Sequence, residues 1–190
     1  MADTLILARM RLSPNRVAEL DKREAITAGK LARVKGFLGR SSWRDAGDDV
    51  AHLTLYEYDS PEAAAEGLKV VVEGPILVES SRLLLSPPDV EQVVVVKASG
   101  KHVRETSVGN VMSISARIAD PGLGESLDQD LENIFGELAA IDGFLGSVRG
   151  YRTLVEEERI GIALWRDLPA FQRSLPEKTM YELKAYKRIL

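Results

Sequence analysis

Apolar and polar positions alternate along Thr4 to Leu12 (TLILARMRL), with Arg9 and Arg11 on one face and Ala8, Met10 and Leu12 on the other. That period of two predicts a strand. Ser13-Pro14 then supplies a cap-and-proline signal, and Val17, Leu20, Ala28 and Leu31 recur at helical spacing, predicting a helix that ends before Gly36. Phe37 to Arg44 and Val50 to Tyr58 read as strands joined by the polar, glycine-containing loop Asp45 to Asp49. Ser60-Pro61-Glu62 opens a second helix, which Gly74-Pro75 interrupts before a further apolar stretch from Ile76 to Leu85. The β-branched run Val93 to Val96 lies inside Val90 to Ala98, which reads as a well-buried strand.

Ser99 to Asn110 is polar, carries glycine near both ends and lacks periodicity, so it reads as a linker. The pattern then starts again. Val111 to Ile118 predicts a strand, Asp120-Pro121 a cap, and Leu127, Leu131, Ile134, Leu138 and Ile141 an apolar helical stripe. Phe144 to Leu154 and Arg159 to Trp165 predict a hairpin around Glu156-Glu157-Glu158, and Asp167 to Leu175 begins a second helix. Tyr181 to Ile189 has helix-forming residues and partial alternation. It is read as a strand because the first half ends in one, with a helix as the alternative. Each half thus runs strand, helix, strand, strand, helix, strand, the ferredoxin-like βαββαβ order of an α+β fold.

The two halves are also related letter by letter. Gly36-Phe37-Leu38-Gly39 recurs as Gly143 to Gly146, and the same offset (143 minus 36, or 107) carries Leu53 onto Ile160, Leu55 onto Ile162 and Tyr58 onto Trp165. Copies of this length are too long for solenoid turns and suit small domains. The expected organisation is a first unit over 1–99, a linker over 100–110 and a second unit over 111–190.

Composition narrows the function classes. The 190 residues are 45% hydrophobic, enough for packed cores, with 25 basic against 29 acidic side chains. The imbalance is the same in each half, 13 against 15 up to Ser99 and 12 against 14 after it, which argues against phosphate-dominated nucleic-acid binding. With no cysteine there is no disulfide, thiolate metal site or cysteine nucleophile. No stretch approaches the roughly 18 apolar residues of a membrane helix, and no secretory leader pattern opens the chain, so a cytoplasmic protein without membrane partners is expected. The two histidines, His52 on a strand and His102 in the linker, have no companions at ligand spacing, and neither a P-loop nor a Gly-x-Ser-x-Gly elbow occurs. No metal or other cofactor is expected.

Glu24 departs from the pattern. On a helical wheel it falls amid Val17, Leu20, Ala28 and Leu31, and the 107 offset places Leu131 at its equivalent position. A carboxylate on a core-facing stripe must be paired, protonated or beside a water-filled cavity, and unpaired it would have a raised pKa suited to a general base. The alternatives are an exposed helix edge or an ion pair with Arg9 or Arg11. Trp165, Tyr58 and Tyr56 lie on strands, where aromatic side chains are core, cross-strand partners or pocket lining. Arg9 and Arg11 suit a solvated or interdomain face.

The stretch Gly143 to Ser174, with its GFLG, hairpin and Ala163-Leu-Trp-Arg-Asp-Leu-Pro-Ala-Phe171 ending, resembles the dimeric α+β barrel superfamily, in particular the antibiotic biosynthesis and haem-degrading monooxygenase group. The first copy is similar through Gly36 to Gly39 and Tyr56-Glu-Tyr-Asp-Ser-Pro-Glu-Ala63. The resemblance implies that the two ferredoxin-like units form an intramolecular dimeric α+β barrel, a monomeric pseudo-dimer that can dimerise further. Of the haem-degrading group's Asn, Trp and helix His, only the Trp is matched, at Trp165; Met10 and Ala116 stand at the Asn positions, and neither second helix has a His. By this resemblance the chain is expected to be a cofactor-independent monooxygenase-like protein acting on a small aromatic or polyketide-type molecule. A non-catalytic small-molecule-binding or structural barrel is the first alternative and a haem-binding or haem-degrading protein the second. The site candidates are Glu24 and Trp165 for chemistry, and Tyr58, Tyr56 and Arg9 for ligand binding.

Overall fold

The computed structural model describes residues 2–72, 78, 81–176 and 182–190. The element order is β1 (Thr4–Arg11), α1 (Val17–Leu31), β2 (Phe37–Asp45), β3 (Ala51–Tyr58), α2 (Pro61–Val72) and β4 (Asp89–Gly100), then β5 (Val111–Ile118), α3 (Gly124–Leu138), β6 (Phe144–Arg152), β7 (Val155–Trp165), α4 (Leu168–Arg173) and β8 (Glu182–Arg188). This is βαββαβ twice, with a 3-10 turn at Val103–Glu105 between. The eight strands close into one barrel in the order β1-β3-β2-β8-β5-β7-β6-β4. The chain divides into two compact units, Met1–Gln92 and Val93–Leu190.

In the first unit β3 is flanked antiparallel by β1, with Met10 opposite His52, and by β2, with Arg40 opposite Tyr56. One face of this sheet meets the helices through Ile6, Leu31, Tyr56, Tyr58, Ala63 and Ala64. In the second, β7 lies between β5 and β6, β8 pairs with β5, and β4 from Val93 onward pairs with β6. Val111, Ala163, Trp165, Ala170 and Phe171 form its helix-facing core.

The shared GFLG run has the same structural task in both units. Gly36 (φ +90°) and Gly143 (φ +95°) turn the chain into β2 and β6 in the left-handed region that glycine adopts without strain. Their carbonyls accept from Asp59 N (2.9 Å) and Arg166 N (2.7 Å), just before α2 and α4. A Cβ would come within 2.7 Å of Ala63 Cβ at Gly36, and within 2.5 Å of Ala170 Cβ at Gly143. Both strands carry a register irregularity directly after, between Phe37 and Gly39 and between Phe144 and Gly146.

Several sequence expectations need correction. Ser13 does not cap α1, which starts at Val17: Leu12 bridges Leu84, Ser13 N donates to Leu83 O, and Asn15 turns the chain at φ +64°. Asp120-Pro121 leads instead into a turn at Gly122 (φ +80°), and α3 begins at Gly124. The second hairpin turns at Thr153-Leu154, which places Glu156-Glu157-Glu158 inside β7. There Glu158 is buried and paired with Arg152 at 3.0 Å, so its charge does not exclude it from a strand. Ser60 and Asp167 do cap α2 and α4, accepting from Ala63 N (3.2 Å) and Ala170 N (2.8 Å). The last segment is a strand from Glu182. Glu73 to Leu77, with the Gly74-Pro75 break, and Tyr181 lie outside the described residues.

Candidate functional site

Each unit has a cavity between its helices and its sheet, and the two differ in both size and chemistry. In the first unit α1 buries Leu20, Glu24, Thr27 and Leu31 along one stripe. Glu24 is 7% exposed, and its Oε2 accepts a 2.8 Å hydrogen bond from the Tyr56 hydroxyl. Arg40 Nη1, which itself donates to Ser42 Oγ, stands 3.8 Å from the same oxygen. Burial pushes the Glu24 carboxyl pKa up, against the Tyr56 hydrogen bond and the Arg40 charge, with Asp21 adding to the rise. Burial also carries Tyr56 well above the usual phenol range, the Glu24 charge adding to it, and lifts Tyr58 to about 12. The cavity measures about 80 Å³ and is walled by Met10, Leu31, Tyr56, Tyr58 and Leu68 beside Glu24.

The second unit's cavity measures about 400 Å³ and is lined by Ser113, Ser115, Phe135, Gly161, Ala163 and Trp165 among others. It explains why the apolar stripe of α3 is only partly covered: Leu131 is buried, while Leu127, Ile134 and Leu138 are half-buried. Trp165 is held by an edge contact to Phe144 (5.5 Å between centroids) and by its Nε1 donating to Ser113 Oγ at 3.0 Å. Because Ser113 Oγ accepts from the indole, its own proton remains to donate elsewhere. Arg117 and Glu137 also line this cavity, and Glu137 is exposed.

The structure therefore brings Glu24, Tyr56 and Tyr58 together in one unit and places Trp165 on the cavity wall of the other. Arg9 joins neither: its Nη1 lies 2.5 Å from Glu91 and 3.8 Å from Asp89. Arg11 pairs with Asp48, so neither arginine is the partner of Glu24. The sequence reading passed over Arg40, Ser113, Ser115 and Arg117. On β5 the alternation Val111, Ser113, Ser115, Arg117 looks like a solvent face, and a period of two cannot distinguish solvent from a cavity under a helix.

Among the described residues, no three His, Asp or Glu side chains gather as a metal-binding group. Haem also fits poorly. Among the described residues, the walls of the 400 Å³ cavity offer no His, Met or Tyr to ligate the iron, and the 80 Å³ cavity, which has Met10 and tyrosines, is far too small for the macrocycle. No described helix is long and apolar enough to cross a membrane.

No protein-family model matches the chain, and no curated protein matches it. Solved structures do match it in fold along its whole length. A candidate monooxygenase from Fusobacterium nucleatum is similar over 98% of this chain and 92% of its own, with TM-score 0.76 and 11% identity. One from Lactobacillus acidophilus is similar over 99% and 94%, with TM-score 0.73 and 11% identity. An anthrone oxidase-like protein is similar over 100% and 94%, with TM-score 0.71 and 13% identity. The chain has the fold of the dimeric α+β barrel superfamily to which these proteins belong.

Proposed function

We propose that this dimeric α+β barrel chain is a monooxygenase-like protein that takes a small, flat aromatic or polyketide-type molecule into the cavity of its second unit. The observation that carries the reading is the cavity of about 400 Å³ beneath α3, since small-molecule pockets begin at about 300 Å³. Phe135, Ala163 and Trp165 offer apolar and aromatic walls, and the Ser113 hydroxyl has a proton to donate to a carbonyl or phenol oxygen. The similarity to an anthrone oxidase-like protein points to the same ligand class.

No metal or flavin is required if the substrate is the reductant. An activated CH₂ group loses a proton, and the resulting carbanion gives electrons to dioxygen. One oxygen atom stays on carbon as the new carbonyl and the other leaves as water. Ser113 would donate to the substrate oxygen as negative charge builds there, Arg117 would supply positive potential, and the apolar walls would exclude water. Glu137, the one carboxylate among the described lining residues, is exposed, so a readily enolised substrate is required. That same feature supports a second reading, in which the cavity binds such molecules without converting them.

The test is titration with anthrone, followed by calorimetry and by dioxygen uptake. Saturable binding that Gly161→Leu abolishes supports the site, because a Cβ at Gly161 already meets Phe135 Cζ at 3.0 Å. Dioxygen uptake then separates enzyme from binding protein. Binding that is absent, or unchanged in Gly161→Leu, overturns the proposal.

A further inference from the structure

We propose that the first unit holds a separate site in which Glu24 and Tyr58 transfer protons on a small enolisable carbonyl compound. Glu24 uses only one of its oxygens within the protein. Tyr56 and Arg40 both approach Oε2, and among the described residues no hydrogen bond engages Oε1 of this buried side chain, which lines the cavity. Among the described residues no hydrogen bond engages the Tyr58 hydroxyl either, and Tyr58 lines the same space. It stands over Gly67 of α2, where a Cβ would come within 2.7 Å of Tyr58 Cζ, so glycine there keeps the phenol in place. The second oxygen of Glu24 is left available to a ligand. Here one acceptor and one donor line a cavity whose other walls are apolar or aromatic apart from Thr27, whose hydroxyl donates to Arg23 O.

Charge selects the ligand class. Arg40 already balances Glu24, so an ammonium ligand would leave an excess buried positive charge. A neutral carbonyl compound keeps the balance throughout. Glu24 Oε1 takes the α-proton, the C–H electron pair becomes the C=C bond, and the carbonyl π pair moves to oxygen. That oxygen accepts from the Tyr58 hydroxyl while Arg40 compensates the charge. Return of a proton from Glu24 to carbon completes an exchange that needs no oxidant and no cofactor. The rise in the Glu24 pKa suits a base nearer neutrality, and Tyr58, lifted to about 12, stays protonated as a donor. At about 80 Å³, and roughly 10–15 Å³ per water-sized occupant, the cavity admits about five to eight heavy atoms.

The experiment follows deuterium uptake at the α-carbons of hydroxyacetone and pentane-2,4-dione by proton NMR in D₂O under nitrogen. Excluding dioxygen keeps this result independent of the second unit's proposed chemistry, so either proposal can fail alone. Wild-type protein is expected to exceed matched buffer, with Glu24→Gln losing about 100-fold or more of the enhancement and Tyr58→Phe losing about tenfold. Gly67→Ala, whose Cβ would push the Tyr58 ring into the cavity without touching Glu24, is expected to abolish exchange. Gly29→Ala, on the exposed side of α1 with nothing within 4 Å of its Cβ, should leave exchange unchanged. Wild-type exchange equal to buffer or to folded Glu24→Gln overturns the proposal. If Glu24→Gln does not fold, undiminished exchange in Gly67→Ala overturns it.

Discussion

The Tyr56 hydroxyl donates a 2.8 Å hydrogen bond to Glu24, tying the middle strand of the first unit to its first helix across 32 positions of sequence. The bond stabilises the ionised carboxylate and burial opposes it, with burial the larger effect. A charge in this position is tolerated because Tyr56 and Arg40 share it.

The sign of the pH dependence follows from that balance. Glu24 binds its proton more tightly in the folded chain than in the unfolded one, so its contribution to stability is complete below the ordinary value of 4.5 and declines as pH rises through the folded pKa. The groups facing it are Tyr56 from β3, Arg40 from β2 and Asp21 from its own helix. Glu24→Gln should remove this decline, which urea titrations on both sides of the window can measure. A wild-type slope that survives in Glu24→Gln would assign it to other groups.

His52 should act in the opposite direction. It is buried, with Nε2 unpartnered, and burial followed by the Arg44 charge lowers its pKa against the raising effects of Asp49 and Asp21. Its stability contribution is therefore complete above the unfolded value of 6.5 and is lost as pH falls below it and through the lower folded pKa. In His52→Gln, the loss of stability between about pH 8 and about pH 5 should shrink.

Substitution at the first glycine of each GFLG run should be among the most damaging single changes. Gly36→Ala and Gly143→Ala meet both a positive φ and a steric clash, and each is expected to lose about 2 kcal/mol or more. Gly29→Ala, inside a helix with open space around it, is expected to gain about 0.5–1 kcal/mol. Thermal melts of the three variants provide the comparison.

Trp165→Phe keeps most of the ring volume but removes the donor to Ser113. The expected loss of stability is about 1–2 kcal/mol. Anthrone affinity should fall by about tenfold as the cavity wall recedes. Unchanged affinity would place the ligand elsewhere.

One chain supplies all eight strands of the barrel, so the smallest stable species is expected to be a monomer of 20.9 kDa. Light scattering after gel filtration measures it directly. A species that loses its far-UV signal on dilution, as an obligate dimer would, contradicts this expectation.

The element order was legible in the sequence because it rests on local physics. Period-two alternation placed β1 and β5, the Ser60 and Asp167 caps placed α2 and α4, and the repeated Gly-Phe-Leu-Gly marked a turn that both units need. Hairpin detail was less legible. Three consecutive glutamates look like a loop until Arg152 is seen beside Glu158, and Ser13 looks like a cap until Leu83 is seen to occupy its backbone.

Glu24 could be picked out by sequence alone, since a helical wheel is a local object and a carboxylate on its buried stripe violates the pattern. Which groups would meet it could not, because Tyr56 and Arg40 reach Glu24 through strand register, which depends on pairings far apart in the chain. Arg9, the sequence's own candidate, was taken up by Glu91 for the same reason. Cavity size was beyond the sequence altogether. Leu131 and Glu24 occupy equivalent positions, and the letters alone do not tell which side is filled. Volume is what remains after every neighbouring side chain has been placed: in the tertiary structure the room lies under the apolar helix and the carboxylate faces a cavity one fifth as large.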